Sequence, residues 1–239
     1  MARAILLDLD DTLYDEAAYM RSGFAAVAAG IAVMTGYAPA AVLEVLLDVE
    51  RREGRGRVFD TALTAFGMTA DPDVVQELVT VYRSHRPRIE LYAGARELLA
   101  RLRRRGRTAI VTDGLPLMQR RKIAALGLES AVDAVVYTWD LVPKPDPAGY
   151  LDALGRLGAT PAEAVVVGDN PHHDMAAAHA IGARAIRVLG GRFASVPAPA
   201  GAEPDLEIAD IGALEAALDD LGVPTRVNAG YAEGVAAHA

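Results

Sequence analysis

Residues 5–13 read Ile-Leu-Leu-Asp-Leu-Asp-Asp-Thr-Leu, a short apolar run that ends in three carboxylates within four positions. On an extended strand, Asp8 and Asp10 project to the same side while Leu9 points away. Two carboxylates at the end of a buried strand repel each other, and placing them there costs free energy unless a cation lies between them or one holds a proton. The arrangement suits chemistry better than stability. It suggests a divalent metal bound next to a nucleophile.

Composition bounds what can surround this run. The 239 residues suffice for one large domain or for a core domain plus a smaller one. A hydrophobic fraction of 52% supports a sizeable core. The net charge of −8, from 24 basic and 32 acidic residues, argues against a nucleic-acid surface, which carries a basic excess. With no cysteine, disulfides, thiol catalysis and thiolate metal sites are excluded. The first apolar run starts at Ala4 and leaves no room for a signal peptide, so a soluble cytoplasmic protein with no membrane partner is expected. One stretch tests that expectation, since Ser22–Leu43 is uncharged. Its apolarity comes mostly from alanine, and Gly30, Gly36 and Pro39 interrupt it. A buried helix over Glu16–Met34, a Gly-Tyr-Ala-Pro break and a second helix from Ala40 account for it better than a membrane span of about 20 strongly apolar residues.

Short β-rich runs recur at Ala4–Leu7, Thr108–Val111, Ala134–Thr138, Ala164–Val167 and Ala185–Leu189, with a sixth at Asp205–Ile208 and helical patterns between them. This alternation predicts an α/β fold with a parallel sheet covered on both faces. Between the first two strands, residues 15–89 read only as helices, near 16–34, 40–53, 57–66 and 73–85. A crossover this long is an inserted all-helical domain. The expected organisation is a core from residues 1–14 and 90–222, the insert at 15–89, and a disordered tail at 223–239.

In open parallel α/β sheets, ligands bind at the carboxyl ends of the strands. Asp8, Asp10, Asp11 and Thr12 follow the first strand; Thr112, Asp113 and Gly114 follow the second. Lys144 lies in the connection after the third, and Gly168-Asp169-Asn170-Pro171-His172-His173-Asp174 follows the fourth. Each segment alone has a plain reading as a turn or helix cap. Lys144 is more telling. The chain has 22 arginines and only two lysines, Lys122 and Lys144, and a compact ammonium suits a buried carboxylate–phosphate pair better than a broad guanidinium.

Asp8-Leu9-Asp10-Asp11-Thr12, Thr112, Lys144 and Gly168-Asp169 through Asp174 together resemble the four motifs of the haloacid dehalogenase (HAD) superfamily, over about residues 1–215. The helical insert is similar to the cap of one large subclass. The resemblance implies a Rossmann-like core with a mobile cap, and a phosphatase acting on a small phosphorylated metabolite, a sugar phosphate or nucleotide. It implies Asp8 as nucleophile and Asp10 as the acid and then the base. It further implies Mg²⁺ on the Asp8 carboxylate, the Asp10 backbone carbonyl, Asp169 and Asp174. Thr112, the amides of Asp113 and Gly114, and Lys144 are implied to hold the phosphate.

Two departures stand out. Many relatives carry asparagine where this chain has Asp113, whose extra carboxylate is expected to point away from the phosphate. His172 and His173 sit in the metal loop and read as solvated, since imidazole suits transition metals better than Mg²⁺. A dehalogenase of this fold needs neither the second carboxylate nor Mg²⁺, so phosphatase is favoured. A phosphomutase shares all four motifs and stays open, as does a non-catalytic phospho-ligand-binding protein on the same scaffold. Monomer and homodimer are both open. Arg51, Arg52, Arg55, Arg57 and the run Arg83–Arg88 are candidates for substrate choice, whereas Arg101–Arg107 reads as solvated.

Overall fold

A computed structural model describes residues 4–223. Strands β1 (Ala4–Leu7), β2 (Arg107–Thr112), β3 (Ala134–Tyr137), β4 (Ala164–Gly168), β5 (Arg184–Val188) and β6 (Leu206–Ile208) form one parallel sheet in the order β3-β2-β1-β4-β5-β6. Leu7 pairs with Ile110 on one side and Val167 on the other, so β1 is central and its carboxyl end lies where the strand order reverses. The third strand stops one residue earlier than predicted, because Thr138 opens a 3₁₀ turn over Thr138–Asp140. Pro224 onward, most of the predicted tail, lies outside the described residues.

Both faces of the sheet are covered, and the period of two explains how. Ile5, Leu7 and Ile110 face a layer containing α5 (Ala95–Arg105) and α6 (Pro116–Ala125), with α9 (Leu214–Asp220). Leu6, Val111 and Val166 face α7 (Ala148–Leu157) and α8 (Ala176–Ile181). In the Arg101–Arg107 stretch, Arg103, Arg104 and Arg107 are exposed as expected, and the solvated reading is corrected at Arg101 and Arg105. Arg101 reaches Glu215 at 2.6 Å, and Arg105 is buried and pairs with Asp219, so α5 is tied to α9 by charge as well as by Leu98 and Leu102.

Between β1 and β2 run α1 (Glu16–Thr35), α2 (Pro39–Glu53), α3 (Val58–Ala65) and α4 (Pro72–Ser84). Asp15 caps α1 by accepting the Ala17 N–H, and Gly36 ends it in the left-handed conformation that favours glycine. Asp71 and Pro72 start α4 in the same economical way, with a side-chain cap and a residue that has no N–H to satisfy. By length and composition alone α1 passes for a membrane span. Its Phe24, Val27 and Ile31 are instead buried against Val42, Leu46, Leu63 and Leu78, each contributing roughly 2 kcal/mol through lost apolar exposure. These helices therefore carry a core of their own. The predicted boundaries at 14/15 and 89/90 fall between β1 and α1 and between α4 and α5.

Candidate active site

The Asp8 amide donates to the Val167 carbonyl at 2.8 Å, extending the β1–β4 ladder one residue past the strand. Leu9 then turns into the core, and Asp8 and Asp10 emerge on the other side, toward a cavity of about 420 Å³. The turn is fixed by Asp11, whose φ is +56 and whose carboxylate accepts the amides of Glu16 at 2.9 Å and Arg192 at 3.3 Å. A short polar side chain tolerates that conformation because it bonds locally.

Lys144 is 3% exposed and bridges two carboxylates, at 2.6 Å from Asp8 Oδ1 and 2.8 Å from Asp174 Oδ1. The Tyr150 hydroxyl donates to the same Asp174 oxygen at 2.8 Å, and the Asn170 amide donates to its Oδ2 at 3.2 Å. Asp174 lies in a π-helical turn, Pro171–Met175, that runs directly into α8. That wide turn aims its side chain back at Gly168, where a Cβ would come within 2.4 Å of the carboxylate. A glycine at the end of β4 is required by this approach.

Oxygens of Asp8, Asp169 and Asp174 come within 4.8 Å of one another, all three residues being buried. One ammonium compensates three carboxylates there. Burial, together with the Asp174 and Asp10 charges, outweighs Lys144 and pushes the Asp8 carboxyl up to about 7. Burial and the neighbouring carboxylates push Asp169 up to about 9. The cluster therefore lacks positive charge, and a hard dication fits it on ligand type and on charge.

Asp10 has the opposite environment. Lys122 Nζ lies 2.7 Å from its Oδ1, the Tyr14 hydroxyl donates to the same oxygen, and Gln119 Nε2 donates to Oδ2 at 2.9 Å. Burial alone would raise this carboxyl, but the Lys122 charge and these hydrogen bonds outweigh it and hold it below the ordinary range. Lys122 is itself 4% exposed and stacks 4.4 Å above the Tyr19 ring. Both lysines of the chain thus serve the two strand-end aspartates. Lys122, Gln119, Tyr14 and Tyr150 are not among the residues that the motifs mark. Lysine scarcity, which singles out Lys144, applies equally to Lys122, but its place inside α6 hides where it points.

The remaining predicted residues divide. Asp113 and Gly114 line the cavity. The Asp113 carboxylate turns to the Thr138 hydroxyl and, at 3.3 Å, to the Lys144 amide; burial would raise it, but these contacts with His173 and Lys144 keep it low. Thr112 is buried at the end of β2, and its hydroxyl accepts from Gln119 Nε2 at 2.5 Å, with Gln119 lining the cavity. His172 and His173 border the cavity, with His173 Nδ1 3.7 Å from Asp113 Oδ2 and its side chain 45% exposed.

Residues 2–182 match the family described as haloacid dehalogenase-like hydrolase. A phosphoserine phosphatase of Thermus thermophilus is 37% identical over 159 residues, 66% of this chain and 62% of that protein. A glyceraldehyde 3-phosphate phosphatase of Methanopyrus kandleri is 31% identical over 219 residues, 87% of this chain and 93% of that protein. Among solved structures, a 2-haloacid dehalogenase of Pseudomonas syringae pv. Tomato DC3000 superposes with a TM-score of 0.63 at 27% identity, covering 92% of this chain and all of that one (100%).

Proposed function

The chain belongs to the haloacid dehalogenase-like hydrolase family, and on that premise we propose that it is a Mg²⁺-dependent phosphatase of small phosphate monoesters that works through an aspartyl-phosphate. The observation that carries the reading is Asp8 itself. It is a buried carboxylate held by Lys144, beside Asp169 and Asp174, with a second carboxylate two positions on. Relatives named as phosphatases of phosphoserine and of glyceraldehyde 3-phosphate support the substrate class.

The chemistry follows from the groups present. Asp8 attacks phosphorus, an oxygen–phosphorus bond forms, and the ester oxygen leaves with a proton from Asp10. Water then attacks the phosphorylated Asp8, and Asp10 takes the proton that this water loses. Inorganic phosphate and free Asp8 result. Lys144 offsets repulsion between the anionic nucleophile and the anionic ester, and the amides of Asp113 and Gly114 take phosphate oxygens. The carboxylates of Asp8, Asp169 and Asp174 and the Asp10 carbonyl would hold Mg²⁺, which would supply further neutralisation of phosphate charge. With Lys122 in place, Asp10 rests as an anion, the form that the second half-reaction uses. The first half requires Asp10 to take up a proton, and Lys122 sets the cost of that step.

A halide departs as an anion and needs no proton, so Asp10 and the carboxylate cluster have no work to do in a dehalogenase. This favours phosphoryl transfer despite the likeness to a dehalogenase structure. We place the enzyme in the cytoplasm, as a monomer or homodimer, with α1–α4 as a cap over the site. The test is phosphate release from sugar phosphates, nucleotides and phosphorylated acids with Mg²⁺, for the wild type and Asp8→Asn. Release by the wild type alone is expected. Equal inactivity throughout points to a non-catalytic ligand-binding role, and turnover of a sugar phosphate to an isomer without free phosphate points to a mutase.

A further inference from the structure

Beyond the catalytic cavity lies a second one, of about 380 Å³, enclosed by α1, α3, α4 and the start of α6. The two share a wall. Leu115 and Met118 line both cavities, so a molecule with its phosphate at Asp8 has its organic part beside this second space.

Its lining differs from that of the catalytic cavity. Phe24, Phe59 and Tyr82 form a triangle of rings, with centroids 6.1 Å apart for Phe24–Phe59, 5.7 Å for Phe24–Tyr82 and 6.0 Å for Phe59–Tyr82. Val79 of α4 closes another side and takes no part in the core cluster of these helices. Tyr82 reaches its place because residue 23 is glycine; a Cβ there would come within 2.4 Å of the Tyr82 ring. Arg55, Asp60 and Arg83 also line it, and the first two are engaged. Arg55 makes a two-pronged contact with Glu16 at 3.1 and 3.2 Å, and Asp60 lies 3.6 Å from Arg57.

The space is a partly open cleft, and a mostly apolar, aromatic-lined cleft with a few polar groups is the usual form of a small-molecule site. A three-carbon polar ester would fill little of it and would leave the ring faces of Phe24, Phe59 and Tyr82 uncovered. We infer that the cavity bounded by Phe24, Phe59, Tyr82 and Val79 is the leaving-group subsite, and that it takes phosphate monoesters of ring-bearing, largely apolar alcohols. Within the small phosphate monoesters, this sets a leaving group larger and less polar than those of the phosphoserine and glyceraldehyde 3-phosphate relatives. The inference rests on the proposed phosphatase reading for what happens at Asp8; its binding geometry stands apart from turnover.

The experiment separates the two. Propylphosphonate and 3-phenylpropylphosphonate, which cannot be hydrolysed, are titrated calorimetrically into the full chain with Mg²⁺. The phenyl compound is expected to bind at least about tenfold more tightly, as burial of one ring predicts. Val79→Phe, which fills the cavity from a partly exposed helix position, is expected to remove most of that ratio. Equal affinity of the two phosphonates for the wild type overturns the inference, and so does a ratio that Val79→Phe leaves unchanged. Release of phosphate from ethyl phosphate and 2-phenylethyl phosphate, whose leaving groups have similar acidity, is followed in parallel. Release from the phenylethyl ester that is no faster than from the ethyl ester also overturns the inference, whereas absence of release here and throughout the ester panel overturns the phosphatase reading, and the titration still decides the subsite.

Discussion

Lys122 Nζ lies 2.7 Å from Oδ1 of Asp10, a residue 112 positions away in the chain, with the lysine buried and the carboxylate at the cavity wall. The pair gives Asp10 an electrostatic surrounding opposite to that of Asp8, although the two are separated only by Leu9. One strand end thus presents a carboxyl raised by burial and one held low by a cation. Splitting two neighbouring carboxyls in this way is how proteins assign them different proton duties.

Replacing Lys122 by methionine keeps the length of the side chain and removes the charge. Asp10 then keeps only its hydrogen bonds in a partly buried position, and a loss of roughly 1–3 kcal/mol at neutral pH is expected. The sign with pH follows from the low folded value. The stabilisation is present above the ordinary carboxyl value of 3.8 and is lost as pH falls through the lower folded value. Urea unfolding of wild type and variant should therefore differ most near neutrality and converge in acid. A gap that is constant with pH excludes the ion pair as its source.

Asp8 and Asp169 behave in reverse. Their folded values, about 7 and about 9, lie above 3.8, so the folded chain keeps protons that the unfolded chain releases. Without a metal, stability is expected to fall as pH rises from 3.8 through about 7 to about 9. A dication replaces those protons, so the gain in melting temperature on adding Mg²⁺ to chelator-treated protein should grow with pH. At a hundred times its dissociation constant the metal contributes about 2.7 kcal/mol. A melting temperature unaffected by Mg²⁺ at every pH rules out the carboxylate cluster as its site.

Asp8→Asn removes the nucleophile but leaves Lys144 paired with Asp174 at 2.8 Å. Turnover should drop by at least about a thousandfold while the chain stays folded in circular dichroism. Lys144→Arg should fail to restore the activity lost in Lys144→Ala, because a planar guanidinium does not fit between two carboxylates built around a point charge.

Gly168→Ala tests how closely β4 approaches the cluster. The added Cβ meets Asp174 at 2.4 Å and must displace it. We expect the Mg²⁺ concentration for half-maximal activity to rise at least about tenfold, with a smaller change at saturating metal. An unchanged metal requirement means that Asp174 does not serve the cation.

How much of this was legible beforehand depends on whether the signal is local. The alternation of strands and helices is local, and all six runs appear as strands within a residue or two of their predicted ends. Asp15, Gly36, Asp71 and Pro72 punctuate the helices by bonds made within a few residues, so the caps were readable too. The strand-end motifs declared themselves because paired carboxylates, a rare lysine and an acidic glycine turn are costly without a shared purpose.

The rest depends on distance in space. Nothing in the segment around Gln119 and Lys122 says that α6 turns both side chains onto Asp10, or that Gln119 covers Thr112. Arg105 looks like one more surface arginine until α9 brings Asp219 to it. The ring triangle joins α1, α3 and α4, whose aromatic residues read separately as core. The order of residues alone determined a parallel sheet with an acidic strand end and a helical insert, since hydrophobic period and like-charge repulsion act along the chain. Only the tertiary structure decided which cation answers which carboxylate and what shape of alcohol fits beside them, since pairing and cavity shape arise where distant segments meet.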